Sequence, residues 1–242
     1  MRLIILCLIL NNTSLYAMEL VFAFGPGNGE PFTIIKDEQL SGGLFKEIGE
    51  ALAHNLDWTV RFRHAPTKRV SQLLMDGDIN SICLTHPDWI EDSQKLFWSI
   101  MIAQDYDHLV SLSKKPFNFN QISDLKGLKV GAMTGYIYFD FFMDYIQKGH
   151  VIRRDFNNLS AMYASLWAER IDVAVDSLIS IHYRTKIQVN SPALKVSNLA
   201  VYRYDLFCAF SEELMPFKEL ILNQVKQMSR KGEFERILNA YK

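Results

Sequence analysis

Ile171-Asp172-Val173-Ala174-Val175-Asp176 is the stretch of sequence that decides the fold. Its run of isoleucine, valine and alanine is typical of a buried strand. Asp176 falls at the carboxyl end of that strand, and residues 177–186 then have the composition and spacing of a helix. A buried strand that leads directly into a helix is the repeating unit of a parallel sheet covered by helices.

The same unit occurs twice more on the N-terminal side of this stretch. Residues 129–132 and 151–153 predict short strands. Each is followed by a segment whose apolar residues recur at helical spacing, over residues 136–146 and 159–167. Three strand–helix units in a row predict an α/β lobe.

A separate strand–helix series lies earlier in the chain. Strands are predicted over residues 20–24, 58–62 and 79–84, and helices over residues 44–56 and 67–75 separate them. The order β-α-β-α-β indicates a second parallel sheet flanked by helices.

Two segments are suited to joining these lobes. Residues 108–112 are strand-like and lead into a polar connection at 114–118, while residues 199–210 alternate and are long enough to cross back. Pro216 then begins the predicted terminal helices. The sequence therefore predicts two α/β lobes, each a mostly parallel sheet flanked by helices, joined by two crossover strands.

The expected lobe boundaries follow from this order of elements. One lobe comprises residues 18–111 and 204–242, and the other comprises residues 112–203. Ligands of such sheets bind beyond the carboxyl ends of the strands, so the gap between the lobes is the expected binding site. Closure around a ligand would be a hinge motion at the two crossovers.

The N-terminus predicts a secretory signal peptide over residues 1–17. Arg2 precedes an unbroken apolar run over residues 3–10, and the small residue Ala17 stands at the expected cleavage point. The run is shorter than the roughly 20 apolar residues that cross a bilayer. The alternative is an ordinary buried N-terminal strand. With the signal peptide, the expected location of the mature protein is the periplasm.

Two cysteines, Cys83 and Cys208, remain after removal of the signal peptide. An exported protein with two cysteines is able to form one disulfide. Both residues lie in apolar, strand-like runs, where a buried free thiol is a common state. The sequence therefore favours free cysteines over a bond.

Composition and motifs exclude several classes of protein. The formal net charge of -1 leaves no basic excess for nucleic acid. The glycine loop at residues 25–29 lacks the spacing of a dinucleotide-binding loop, and Pro31 follows it where a helix would begin. The motifs Cys-x-x-Cys, Gly-Lys-Ser/Thr and His-Glu-x-x-His are absent from the sequence. We therefore expect no cofactor, no metal site and no nucleic-acid partner.

Six motifs, in order along the chain, carry a resemblance to a known family. They are Pro31-Phe32, Gly42-Gly43, Asp76-Gly77-Asp78-Ile79-Asn80, Asp124-Leu125-Lys126-Gly127-Leu128-Lys129-Val130-Gly131, Ala168-Glu169-Arg170-Ile171-Asp172-Val173-Ala174-Val175-Asp176, and Gly232-Glu233-Phe234-Glu235-Arg236-Ile237. Together they resemble the family-3 bacterial extracellular solute-binding proteins, the polar amino-acid class of ABC-transporter receptors. The resemblance covers nearly all of the mature chain and implies the type II periplasmic-binding-protein fold.

The resemblance also implies a function and partners. It implies capture, without chemistry, of a small polar molecule, either an amino acid or a related amine. The implied partner is an ABC-type permease in the inner membrane, or else a sensing system, and the expected state is a monomer.

The family's ligand clamp is only half matched. Its lobe-two aspartate, which holds a ligand ammonium, matches Asp176. Its lobe-one arginine, which holds a ligand carboxylate, has no counterpart in residues 89–97, where an acid falls in its place and Glu91-Asp92 adds negative charge to the expected site.

The predicted ligand-binding residues surround the expected cleft and are Phe32, Arg69, His86, Trp89, Thr134, Tyr136 and Asp176. Arg69 is able to replace the missing contact, since a guanidinium matches a carboxylate in two-point geometry, or is a solvated residue of a first helical turn. We expect it to face Asp176 across the cleft. Asp176 binds a ligand cation or caps the helix that follows.

The other predicted site residues also have two interpretations each. Trp89 and Phe32 either form aromatic walls of the site or pack as core and loop anchors. Thr134-Gly135-Tyr136 precedes a predicted helix, whose free N–H groups are able to hold an anionic group, or it is an ordinary capping turn. His86 follows the third strand and is expected to face the cleft.

Two other function classes compete with solute binding. An enzyme on the same scaffold, of the dehydratase or cell-wall lyase type, would need a placed general acid or base, for which His86, Asp88 and Glu91 are the candidates. A structural or interaction protein would have no ligand in the cleft.

Overall fold

The computed structural model describes residues 18–25, 29–37, 39–188 and 190–242. The predicted signal peptide, residues 1–17, lies outside the described residues, as does the middle of the glycine loop.

In the described residues, twelve strands form the sheets. In chain order they are β1 (Glu19–Phe24), β2 (Ile34–Lys36), β3 (Gln39–Gly42), β4 (Thr59–His64), β5 (Ser81–Thr85), β6 (Phe97–Trp98), β7 (Ala103–Leu112), β8 (Lys129–Met133), β9 (Ile152–Phe156), β10 (Val173–Ser177), β11 (Leu194–Val196) and β12 (Tyr202–Phe210).

Helices cover the faces of the main sheet. They are α1 (Leu44–Leu56), α2 (Val70–Met75), α3 (Asp140–Gln147), α4 (Leu159–Trp167), α5 (Leu178–Ile187), α6 (Lys218–Arg230) and α7 (Glu233–Ala240).

The main sheet has the strand order β4-β1-β5-β12-β7-β10-β8-β9. At each end the strands are parallel, as β4, β1 and β5 are at one end and β10, β8 and β9 at the other. The long strands β7 and β12 stand in the middle and pair antiparallel with each other. The predicted architecture of two α/β lobes joined by two crossover strands is therefore confirmed, while the predicted lobe boundaries stay a prediction.

Each half of the sheet has apolar side chains on both faces. In the first half, α1, α6 and α7 cover one face and α2 covers the other, with Ile48 and Leu73 fully or almost fully buried. In the second half, α3 covers one face through Phe142, while α4 and α5 cover the other through Leu166 and Ile181. Each half therefore buries its own core, as two lobes require.

The start of α1 fixes the turn that carries Phe32. Leu44 N–H donates to the Pro31 carbonyl at 2.9 Å, and Phe45 N–H donates to the Phe32 carbonyl at 3.1 Å. Gly43 stands between them with a φ of +101°, and a Cβ there would lie 2.8 Å from both carbonyl oxygens. Only glycine fits this position, and the close approach holds Phe32 against the lobe.

Two predicted helix starts are wrong. Residues 136–139 are not helical, because α3 begins at Asp140, after Tyr138 and Phe139 have packed into the core. Pro216 does not begin the terminal helix, since it lies inside a 3-10 turn over Glu212–Phe217 and α6 begins at Lys218. In both places apolar spacing continues across a turn, so the pattern extends the helix too far.

The sequence was also wrong to favour free cysteines. Cys83 on β5 and Cys208 on β12 form a disulfide across neighbouring antiparallel strands, with their Cα atoms 3.9 Å apart. The register of the two strands shifts between Phe207 and Ala209, next to Cys208. Strand pairing between segments 125 residues apart brings the thiols together, and local apolarity carries no information about it.

In the stretches that the structure describes, no helix is long and apolar enough to cross a membrane.

Removal of the disulfide should destabilise the protein. A Cys83→Ala/Cys208→Ala variant is expected to lose about 2–5 kcal/mol of unfolding free energy, because the bond restricts a long loop in the unfolded chain. Urea unfolding of the variant and of the parent, each with and without dithiothreitol, measures the effect. Equal midpoints for the parent with and without reductant would contradict the pairing.

Candidate functional site

Three aspartates lie close together where the crossover strand β7 meets β10. Asp105 and Asp107 are on β7, and Asp176 is on β10. In the antiparallel register Asp176 is opposite His108, and Ser177 is opposite Asp107. Their exposed fractions are only 1%, 2% and 8%. Carboxylates this buried need hydrogen bonds or protons, so their partners decide what this region does.

Asp176 accepts two hydrogen bonds. The Tyr163 hydroxyl donates to its Oδ2 at 2.9 Å, and the N–H of Ser177 donates to its Oδ1 at 2.8 Å. The buried guanidinium of Arg184 lies over the Tyr163 ring, 4.5 Å from its centroid, and is the charge that most favours an ionised Asp176.

The cap interpretation of Asp176 is wrong. Helix α5 is capped by Ser177, whose Oγ accepts from the Ser180 N–H at 3.2 Å. Asp176 comes one residue before the cap, at the end of the strand. Besides accepting its two hydrogen bonds, Asp176 lines a cavity of the molecule.

Two tyrosines connect the other aspartates. The Tyr136 and Tyr204 hydroxyls each lie 3.2 Å from Oδ1 of Asp107 and 3.1 Å from each other. The Tyr204 hydroxyl is also 3.4 Å from Oδ2 of Asp105. The N–H groups of Tyr106 and Ile179 donate to Oδ1 of Asp105. The cluster thus spans both crossover strands and the loop before α3.

Burial raises the pKa of all three carboxyl groups. The pKa of Asp105 rises to about 6, opposed by its backbone hydrogen bonds. The pKa of Asp107 rises to about 8, because the charges of Asp105 and Asp176 add to the effect of burial. The pKa of Asp176 rises to about 7, opposed by the hydrogen bonds from Tyr163 and Ser177. Near neutral pH the cluster therefore holds protons that ordinary aspartates would have lost.

One cavity lies between the two halves of the molecule and is mostly apolar. It has an empty volume of about 770 Å³ that opens to solvent. Its wall from the first half comprises Ala23, Phe24, Gly25, Phe45, Ala65, Thr67, Val70, Ile82, Leu84, Thr85, Trp89 and Ile90, and its wall from the second half comprises Thr134, Tyr136 and Ile137.

A second, smaller cavity adjoins the first and contains the carboxylate. It has an empty volume of about 430 Å³, and it shares Leu84, Trp89 and Tyr136 with the first cavity. Its other lining residues are Phe32, Met133, Leu159, Asp176, Ser177, Ser180, Tyr204 and Leu206. The two cavities are neighbouring parts of one cleft, which we call the apolar cavity and the aspartate cavity.

Five of the predicted site residues line this cleft. Phe32 and Asp176 line the aspartate cavity, Thr134 lines the apolar cavity, and Trp89 and Tyr136 line both. The structure thus brings together residues that are far apart in the sequence. Their roles in ligand binding stay predictions.

The structure places the other two predicted residues elsewhere. His86 lines an outer groove with Asp88 and Trp89, and its ring lies 5.7 Å from that of Trp89. Arg69 is exposed at the start of α2, and the cavity-lining residues of its turn are Thr67 and Val70. The expected pair of Arg69 and Asp176 across the cleft stays a prediction.

Two expectations about charge near the site are wrong. Glu91 and Asp92 are exposed, and Asp92 pairs with Lys95 at 2.7 Å, so they add no carboxylate to the cleft wall. Thr134-Gly135-Tyr136 does not lie at a helix start, because α3 begins only at Asp140. The N–H groups of that segment are therefore not the free end of a helix.

Sequence reasoning missed Asp105, Asp107, Tyr163 and Tyr204. The signal for the first two was the i, i+2 spacing of two acids ahead of the strand-like residues 109–112, which places both on one face of a strand. Their position before that run resembles an ordinary polar edge. Nothing local distinguishes Tyr163 or Tyr204 from core tyrosines.

Within the described part of the chain, no group of three or more histidine, cysteine or acidic side chains is arranged to hold a metal ion.

No protein-family model matches the sequence, and no curated protein matches it. The structure, by contrast, is similar to many solved chains. The ligand-binding core of GluR0 in complex with L-glutamate is 16% identical, with a TM-score of 0.75 over 94% of this chain and 99% of that one.

Two further solved structures have the same fold. An amino-acid ABC-transporter substrate-binding protein from Streptococcus pneumoniae, bound to L-arginine, is 17% identical, with a TM-score of 0.73 over 92% of this chain and 94% of that one. An ancestral amino-acid-binding protein, a precursor of cyclohexadienyl dehydratase, is 16% identical, with a TM-score of 0.72 over 92% and 95%. The two-lobed type II periplasmic-binding-protein fold is therefore confirmed.

The buried acids should make the ligand-free protein less stable as the pH rises. An unfolded aspartate loses its proton near pH 4, while folded Asp107 keeps its proton to about pH 8. Between these values the folded state binds more protons, so the unfolding free energy falls with pH, by up to about 1.4 kcal/mol per unit for one such group. Asp107 faces Asp105, Asp176 and the hydroxyls of Tyr136 and Tyr204. The pKa values of Asp105 and Asp176 are also raised, so these two acids likewise lower the unfolding free energy as the pH rises.

Asp107→Asn removes one of these titrations and should flatten the fall between pH 5 and pH 8. Urea unfolding at several pH values measures the slope. Asp144→Asn, on the exposed side of α3, is the matched control and should keep the parent slope. A difference between parent and Asp107→Asn that is constant with pH would contradict the raised pKa.

Proposed function

We propose that the chain is a periplasmic solute-binding protein that captures a small polar molecule, an amino acid or related amine, and holds its cationic group at Asp176. The observation that carries this proposal is the position of Asp176. It is a buried carboxylate in the wall of a cavity between two lobes, and it does not cap the helix that follows.

The size and lining of the cleft support small-molecule capture. Ligand sites in proteins are concave, mostly apolar and equipped with a few polar groups that set orientation. The cleft has aromatic walls at Trp89, Tyr136 and Tyr204 and a single carboxylate at its inner end. The crossover strands β7 and β12 supply the place at which the lobes could turn to open it.

The likeness to solved binding proteins supports the same function. The GluR0 core and the streptococcal protein hold L-glutamate and L-arginine respectively, on the same two-lobed fold. A permease of the ABC class or a sensing system is the proposed partner of the loaded protein, and a monomer is the proposed state.

Export to the periplasm is also part of the proposal. The apolar run after Arg2 supports a signal peptide. The disulfide between Cys83 and Cys208 supports an oxidising compartment, because such bonds are rare in reducing cytosol. N-terminal sequencing of exported protein should find a mature chain that begins near Met18.

An enzyme on this scaffold is the second candidate, and one observation favours it. Carboxyl groups whose pKa lies near neutrality are suited to general acid–base work, and the pKa of Asp176 rises to about 7 through burial. A ligand found bound to the protein should therefore be incubated with it and analysed by mass spectrometry. Recovery of unchanged ligand supports the binding protein, and conversion supports the enzyme.

A substitution at Asp176 tests the proposed site. Native mass spectrometry of purified protein and calorimetry with small amines and amino acids first identify the tightest ligand. Asp176→Asn should then weaken its binding about ten- to a hundredfold, because a charge-assisted hydrogen bond of roughly 1.5–3 kcal/mol is lost.

Thermal unfolding separates this result from misfolding. The Asp176 carboxylate is costly to bury when ionised, so Asp176→Asn should not lower the melting temperature of the ligand-free protein at pH 8. Asp144→Asn is again the control and should bind like the parent. Unchanged affinity of Asp176→Asn would exclude Asp176 as the ligand contact.

A further inference from the structure

The cleft has one kind of charge in its wall. Of the lining residues of both cavities that the structure describes, Asp176 is the only charged one. Residues 26–28, which adjoin the apolar cavity in sequence, are proline, glycine and asparagine and also carry no charge. A ligand carboxylate would therefore enter a cleft without an opposite charge to pair with.

Two arginines on elements that contribute to the cleft wall lie outside that wall. Arg184 is buried over the Tyr163 ring and is not part of the cavity wall. Arg69 is exposed at the start of α2. The 3-10 turn after β5, Pro87–Trp89, places an indole in the cleft wall. A ring can contact a cation through its face, but it cannot neutralise a carboxylate.

The start of α5 would be the natural alternative for an anion, because the first N–H groups of a helix are free to bind one. Here three of them already donate to side chains of the protein itself. The N–H of Ile179 donates to Asp105 at 3.3 Å, and the N–H of Ser180 donates to Ser177 at 3.2 Å. The N–H of Ser177 donates to Asp176 at 2.8 Å. The Ser177 hydroxyl and the carboxylates of Asp105 and Asp176 thus already accept from three N–H groups at this end of the helix.

The charge behind the cavity acts in the same direction. Asp105 and Asp107 lie behind the Tyr204 and Tyr136 hydroxyls, and both tyrosines line the aspartate cavity. With Asp176 they make three buried acids next to one buried arginine, Arg184. Each of these acids, when it is ionised, attracts a cation and repels an anion, and weak screening at buried positions strengthens both effects.

The adjoining cavity is suited to an apolar group. It is lined mostly by aliphatic and aromatic side chains, and its polar contributions come from the threonines Thr67, Thr85 and Thr134 together with Trp89 and Tyr136. A ligand that places a cation in the aspartate cavity would therefore place an uncharged, largely apolar body there.

From these observations we propose that the cleft selects an amine that lacks a carboxylate, with its ammonium at Asp176 beside Trp89 and Tyr204 and an apolar body in the neighbouring cavity. The proposal rests on the proposed function and narrows it, because it separates amines from the α-amino acids that carry the same side chain.

Matched pairs that differ only by the carboxylate test this selectivity. Calorimetry with residues 18–242 compares phenethylamine with phenylalanine, isoamylamine with leucine, and agmatine with arginine. We expect the amine of at least one pair with an apolar body to bind ten times or more tighter than its amino acid. Asp176→Asn should remove most of that affinity, whereas Arg170→Gln, an exposed arginine outside the cleft wall, should leave it unchanged.

Other outcomes of this comparison overturn the inference in distinguishable ways. If the amino acids bind tighter than the amines, the selectivity is wrong while the proposed function stands. Loss of that amino-acid binding in Arg69→Gln would then identify Arg69 as the carboxylate contact. If neither member of any pair binds, the proposed function fails together with the inference.

The pH dependence of amine binding provides a second measurement. Alkyl ammonium groups keep their charge well above pH 8. Asp176 faces Tyr163 from α4, Arg184 from α5 and the acids Asp105 and Asp107 from β7, and it must lose its proton to bind the amine. Affinity for phenethylamine should therefore rise several-fold between pH 6 and pH 8. Affinity that is constant over this range would contradict an ammonium held by Asp176.

Discussion

The antiparallel pairing of β7 with β12 is the constraint on which the rest of the structure depends. These two strands are the crossovers between the lobes, and they pair over five positions, from Tyr202 opposite Asp107 to Leu206 opposite Ala103. Tyr204 lies directly opposite Asp105, so one tyrosine hydroxyl reaches both acids of β7. The crossover strand β7 thus also carries two of the three acids of the buried cluster, and β12 carries the tyrosine that contacts both.

The place where the crossover strands pair is also the place where the charge of the buried acids must be offset. Three acids buried at one place are tolerated because protons, tyrosine hydroxyls and Arg184 offset their charge. A cationic ligand would take over the role of the protons at Asp176. Binding of a cationic ligand would then be coupled to release of a proton from Asp176, at the junction where the lobes meet.

Much of the fold could be predicted from the local sequence pattern, but the site could be predicted only in part. The alternation of strand and helix placed Asp176 at a strand end, and Trp89 in the turn after another strand, because parallel strands end at one edge. The position of Arg69 depends on which side of a short turn faces the gap, and periodicity does not specify this. Asp105 and Asp107 became a cluster only through pairing with β10 and β12, which is long-range information. The disulfide was not predicted either, because it also depends on the pairing of strands that are far apart in the sequence.

The bond between Cys83 and Cys208 also changes the topology of the chain. It closes a covalent ring from β5 to β12, and every strand from β6 to β11 lies within that ring. The helices α3, α4 and α5 lie within it as well, so the disulfide closes one covalent ring around all of these elements. A single cut by a protease in any loop within the ring would leave both pieces of the protein covalently attached, and they would separate only under reducing conditions.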